Sequence, residues 1–206
     1  SNREKFGAYC KTLGTAFGNP LYHWSQAELK EFFGCELEIN EENADKIWEQ
    51  CNDYIAKNNV SPASLIERSN VKCVVTTNEV FDDLSTFEKI KGKGYKFTVI
   101  PAFRADKIMN IEAEKYNDFI ALLEAETGRI NNLKDLESAL EARLEAFIKV
   151  GCKASDIALE SIYPVSDRKF AEEIFTKRRS GKAVTEEETK EFKGYLTYFL
   201  MKLYAN

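Results

Sequence analysis

The arginine at position 104 follows the apolar run Phe97–Phe103 and precedes Asp106 by two residues. A planar guanidinium at the end of such a run suits a two-point grip on a carboxylate or phosphate. The same spacing suits an ion pair of Arg104 with Asp106 or with Asp156. Asp156, in "CKASDIAL", has the chemistry to orient a hydroxyl or move a proton, and equally to cap a turn. Thr76 and Thr77 end another β-branched run and offer hydroxyl donors, though threonine is common at strand ends. His23, the only histidine, lies between Tyr22 and Trp24 in "NPLYHW". Its aromatic neighbours suggest ring packing with one polar tip.

These groups need elements to position them, and the spacing supplies a coarse set. Ser25 and Glu28 read as a capping box starting a helix just after "NPLYHW", with Gly34 as its stop. Asn40 reads as the cap of the next helix, whose apolar face runs through Ala44, Ile47, Trp48, Cys51, Tyr54 and Ile55. Ser61-Pro62 opens a short helix to about Arg68. Strands are predicted at Val71–Thr77 and Phe97–Phe103, with a weaker one in Cys152–Leu159. Helical stretches are predicted at Phe81–Lys91, Ile111–Glu126 and Leu133–Val150. Two more close the chain, one capped by Ser166 and one opened by the Thr185/Glu188 box. Lys177-Arg178-Arg179 reads as a solvated helix end favoured by the macrodipole. Tyr195, Tyr198, Phe199 and Tyr204 read as a packing face.

Short apolar strands alternating with helices imply βαβ units and a parallel sheet. The expected class is helix-rich α/β, with residues 1–70 helical and 71–206 carrying the sheet. A closed (β/α)8 barrel needs eight strands and about 250 residues, so three strands make a small open sheet or an arc of a larger one.

Composition removes several function classes. The 206 residues carry a net charge of −5 with no isolated Lys/Arg cluster, which argues against nucleic acid as a partner. No apolar run has transmembrane length and no signal-peptide pattern occurs. The opening Ser1-Asn2 reads as a tag remnant. Five widely spaced cysteines without a CxxC suggest reduced, mostly buried thiols in a cytoplasmic protein. One histidine makes a zinc site improbable and leaves a serine triad only His23 as its base. There is no phosphate-binding glycine loop and no G-x-S-x-G elbow.

In order along the chain, "GNPLYHWSQAELKEFFG", "IERSNVKCVVTTNE", "VIPAFRADK" and "GCKASD" resemble the uronate (glucuronate) isomerases of the amidohydrolase superfamily. Members of that family interconvert aldose and ketose hexuronates on a metal-supporting (β/α)8 barrel with a helical insertion. The resemblance implies an internal segment: a helical insertion over 1–70, then a partial (β/α)8 barrel over 71–206 holding strands two to four. The family's H-x-H, its next metal-site histidine and its aspartate ligand belong to strands one, five and eight. The metal, zinc or a similar divalent ion, is therefore expected in the full-length parent and no ligand to it in this chain.

Matched residue by residue, the resemblance makes Arg104 the arginine of F-R-P-D, lining the substrate site, and Asp106 its supporting aspartate. Asp156 becomes the aspartate of S-D-H, with the catalytic role. His23 becomes an accessory substrate contact in the N-P-L-Y-H-W signature. The chain departs from the family pattern at Asn78-Glu79-Val80, where T-T-D-D-P is usual. Ala105 stands for proline and Ile157 for the histidine of S-D-H. The expected partners are a hexuronate and the remainder of the barrel, with self-association and no activity for the isolated chain. The competing expectation is a non-catalytic α/β binding or structural module derived from the family.

Overall fold

The computed structural model describes residues 1–205. The chain divides into two compact units, Ser1–Val71 and Lys72–Asn206.

The first unit is helical. It comprises α1 (Asn2–Leu13), α2 (Pro20–Phe33), α3 (Ala44–Asn58) and α4 (Pro62–Arg68). Cys10, Leu13, Cys35, Ile39 and Ile47 form its core. Helix α2 begins earlier than predicted. The Asn19 side chain accepts from the Leu21 N–H at 2.9 Å and Pro20 takes the first helical position. "PLYHW" is thus the first turn of α2, and the predicted Ser25/Glu28 box lies inside the helix. Ser25 is buried there, its hydroxyl 2.5 Å from that of Tyr9 on α1. Gly34 ends α2 as expected, with φ 60°. Asn40 does not cap α3. Its side chain accepts from the Asn43 N–H at 2.9 Å and holds a turn, so the helix starts only at Ala44. Ser61 caps α4, and Ser1 caps α1 in a box with Glu4.

The second unit is built on a parallel sheet, β1 (Cys73–Glu79), β2 (Thr98–Arg104) and β3 (Ala154–Ser155), in that order. It is a helix-rich α/β arrangement, an arc of a barrel. Both long strands extend to a charged residue, because the ladder continues to the pair Glu79–Arg104. Its helices are α5 (Ser85–Lys91), α6 (Asp106–Met109), α7 (Tyr116–Thr127), α8 (Leu133–Lys149), α9 (Arg168–Arg179) and α10 (Glu186–Tyr204). Phe103, Tyr116, Phe147, Phe175 and Phe192 anchor one core beneath them. Leu133, Leu136, Leu140 and Phe147 on α8 are fully buried, whereas Ile148 is half exposed.

Two predicted helices start late, after turns whose carbonyls are held by buried arginines. Arg143 donates from Nε to the Val80 carbonyl at 2.5 Å and from NH2 to the Asp82 carbonyl at 2.7 Å. Arg178 donates to the carbonyls of Ile111, Ala113 and Glu114 at 3.0, 2.7 and 3.1 Å. Arg178 is therefore not part of a solvated helix end: it is buried, and its flanking partners are paired too. Lys177 binds Glu188, and Arg179 binds Glu124. The cap of α9 is Asp167, which accepts from the Lys169 N–H at 2.7 Å, and not Ser166. The box Thr185/Glu188 opens α10 as predicted. In the α10 aromatic set, Tyr195 is buried and Phe199 and Tyr204 pack against the core. Tyr198 is exposed under the Lys202 ammonium.

The cysteines are unpaired, with Cys10, Cys35 and Cys152 buried, Cys51 partly so and Cys73 exposed. Among the described residues no helix is long and apolar enough to cross a membrane.

Candidate functional site

The sheet register decides which side chains meet. Glu79 stands opposite Arg104 as the last pair of β1 and β2. Phe103 stands opposite Ser155, so Asp156 follows one residue beyond the end of β3. Its N–H donates to the Phe103 carbonyl at 3.1 Å. These are the C-terminal ends of parallel strands, where α/β proteins gather their chemistry. Beside them opens a cavity of about 530 Å³, lined by Glu79, Arg104, Asp106, Lys107, Met109, Asn110, Ala158, Glu160, Tyr163 and Lys193.

Asp106 is buried and both of its oxygens are engaged. One lies 2.5 Å from Arg104 Nε, the other accepts from the Ala158 N–H at 2.9 Å. The first contact holds the Arg104 guanidinium even more firmly charged, with further help from Asp156 and Glu79. It also fixes the direction of the fork. The second ties the segment after β3 to the start of α6.

Glu79 is the less satisfied acid. Its side chain is 13% exposed. Oε1 lies 3.9 Å from both Arg104 Nε and Lys107 Nζ, and the buried Oε2 has no hydrogen-bond partner among the described residues. Burial pushes its carboxyl above the ordinary carboxylate range, against the pull of Lys107 and Arg104. Lys193 reaches the cavity from α10 and is 2.5 Å from Glu112.

Of the residues singled out in the sequence, Arg104 and Asp106 line the cavity together, and Asp156 is exposed at the strand end beside them. The Thr76 hydroxyl donates to Asn78 at 2.7 Å, while Thr77 is exposed. His23 belongs to the first unit, where it is exposed and meets Tyr22 edge-on at 5.4 Å. Glu79, Lys107 and Lys193 were not marked as site residues by sequence reasoning. For Glu79 the usable signal was its place at the end of an apolar strand; Lys193 has none. No group of three or more His, Cys, Asp or Glu among the described residues is arranged to hold a metal ion. A resident metal therefore does not fit this segment alone.

The family model for glucuronate isomerase matches residues 1–206. The chain belongs to that family. A uronate isomerase from Caldanaerobacter subterraneus subsp. tengcongensis is 41% identical over 205 residues, covering 98% of this chain and 44% of that protein. One from Lachnospira eligens is 40% identical over 196 residues, covering 94% and 42%. The crystal structure of uronate isomerase from Thermotoga maritima superposes with a TM-score of 0.92 at 28% identity, covering 99% of this chain and 45% of the other. The chain thus spans less than half the length of these relatives.

Within the glucuronate isomerase family pattern, the departures have structural readings. Ala105 has φ −111°, outside the range a proline allows, and is fully buried. Ile157 packs against the core of the second unit, so this position serves packing instead of offering a polar group. Glu79, within the altered Asn78-Glu79-Val80, forms part of the cavity wall.

Proposed function

We propose that this chain is an internal segment of a cytoplasmic uronate isomerase, contributing a helical insertion (1–70) and strands two to four of a (β/α)8 barrel (71–206). The supporting observation is the family match over the whole chain together with its coverage of about 44% of a relative's length. The parent reaction interconverts aldose and ketose hexuronates, glucuronate with fructuronate or galacturonate with tagaturonate. It moves a proton between C2 and C1 through an enediol(ate), which needs a base and stabilisation of the developing oxyanion.

Arg104 binds the substrate carboxylate, in a direction set by Asp106. Asp156 holds a hydroxyl or assists the proton transfer, and His23 is an accessory substrate contact. The divalent metal is held by residues of the parent outside this segment. The remainder of the barrel covers the apolar groove beside β3, lined by Phe103, Leu144, Ile148, Cys152 and Tyr204. The isolated segment is inactive and prone to self-association through such uncovered faces.

In the intact protein, Arg104→Ala is expected to lower kcat/KM for hexuronates by about 3 kcal/mol or more of transition-state binding, as loss of charge-assisted contacts does. Near-normal kcat/KM in that variant refutes the assignment. The second reading, a non-catalytic module derived from the family, is favoured by Ile157 at the S-D-H position; it predicts no hexuronate turnover by the intact protein.

A further inference from the structure

The cavity carries a second cation whose charge is largely unspent. Arg104 has Asp106 at 2.5 Å and Lys193 has Glu112 at 2.5 Å. Lys107, at the start of α6, has only Glu79 Oε1 among the described acids, at 3.9 Å, and shares that oxygen with Arg104. Glu79 is itself the acid whose ionisation burial disfavours. The Lys107 ammonium is held in place by ring faces: it lies 5.4 Å from the Phe81 centroid and 5.5 Å from the Phe119 centroid. Those rings are stacked, 6.3 Å apart and 10° from parallel. A cation–π contact orients an ammonium without neutralising it. The side chain is 43% exposed, so its N–H donors remain open to a ligand.

We infer that Lys107 is a specificity-determining residue that shares the carboxylate of a sugar acid with Arg104. Glu79 Oε1 shows the geometry: a single carboxylate oxygen stands within 3.9 Å of both cations. A substrate carboxylate in the adjoining cavity meets the same pair, and a neutral aldose gains nothing from either charge. The inference rests on the hexuronate reading above and adds a residue to it.

The test uses the intact protein, with Lys107→Gln, Lys107→Met and Lys107→Arg. Turnover is measured on glucuronate and galacturonate, and inhibition by gluconate is compared with inhibition by its uncharged alcohol, glucitol. Lys107→Gln and Lys107→Met are expected to raise KM about 10- to 100-fold, the loss of one charge-assisted contact, with kcat changed far less. Gluconate should lose its advantage over glucitol, and Lys107→Arg should restore part of it. A purely structural lysine would weaken both inhibitors alike. In the wild type, gluconate should protect Lys107 from acetylation by acetic anhydride and glucitol should not, a readout independent of whether the variants fold. An unchanged gluconate-to-glucitol ratio, or absence of protection, in an active wild type overturns the Lys107 assignment alone. A wild type that neither converts nor binds hexuronates overturns the isomerase reading and this inference with it.

Discussion

Residues 80–84, after β1, and 111–115, before α7, are each clamped by a buried arginine, whereas residues 156–167, after β3, hang from backbone anchors. Arg143 and Arg178 each bind several backbone carbonyl oxygens of these turns. The long segment after β3 is fixed at Ala158 by Asp106, and at Pro164 by close approach to Gly194 on α10. Between and beyond these points Leu159, Ile162 and Val165 are exposed. The difference matters because all three connections border the same strand ends. Glu79 stands at the end of β1, directly before the turn held by Arg143, and Arg104 leads into α6 and the turn held by Arg178, while Asp156 opens a strap with fewer side-chain contacts. A cation that must aim at a carboxylate benefits from a fixed base. The strap borders the cavity through Ala158, Glu160 and Tyr163.

The comparison can be broken first at the clamps. Arg143→Leu removes the partners of Val80 and Asp82 and of Glu126, and should cost about 3–5 kcal/mol, as loss of one partner in a buried charged network does. Equilibrium urea unfolding of the intact protein measures it, and a loss under about 1 kcal/mol would remove the clamp argument. Gly194→Ala comes next. A Cβ there runs into the Pro164 carbonyl, which is backbone and cannot rotate away. The strap must shift, at about 1–3 kcal/mol, the usual scale of overpacking. Limited proteolysis should then cut within 158–166 faster than in the wild type, with the clamped loops unaffected; unchanged cleavage would show that Gly194 does not anchor the strap.

The smallest effect concerns Glu79. Its carboxyl is raised in the folded state, so the folded protein keeps a proton that the unfolded chain has released. The folded state therefore loses stability as pH rises from the ordinary carboxylate value through the raised one. Glu79→Gln should flatten that decline and leave the protein somewhat more stable than the wild type at neutral pH. Melting temperatures across pH 4–8 decide it, and parallel curves for the two proteins would contradict the burial argument.

Much of the fold is legible because its signals are local. Gly34, Ser61-Pro62 and the Thr185/Glu188 box act over one helical turn, and the structure uses each of them. Apolar runs marked β1, β2 and the short β3 in the right order. The predictions that failed were settled by distant partners. Ser25 looks like a cap until Asn19-Pro20 starts the helix first and Tyr9 takes its hydroxyl. Phe81–Lys91 and Ile111–Glu126 read as whole helices because nothing nearby reveals Arg143 or Arg178, more than 60 residues away along the chain. The Lys177-Arg178-Arg179 run looks solvated for the same reason.

The sequence by itself determined the alternation of strands and helices and the family signatures, since each depends on residue type at short spacing; it left Arg104 to pair with Asp106 or Asp156, and the structure chose Asp106. Only the tertiary structure decided that Glu79 stands beside Arg104, that Lys107 is held over Phe81 and Phe119, and that Lys193 reaches the same cavity from α10. Strand register and helix packing bring together residues far apart in the chain, and no local pattern of residue types encodes that distance.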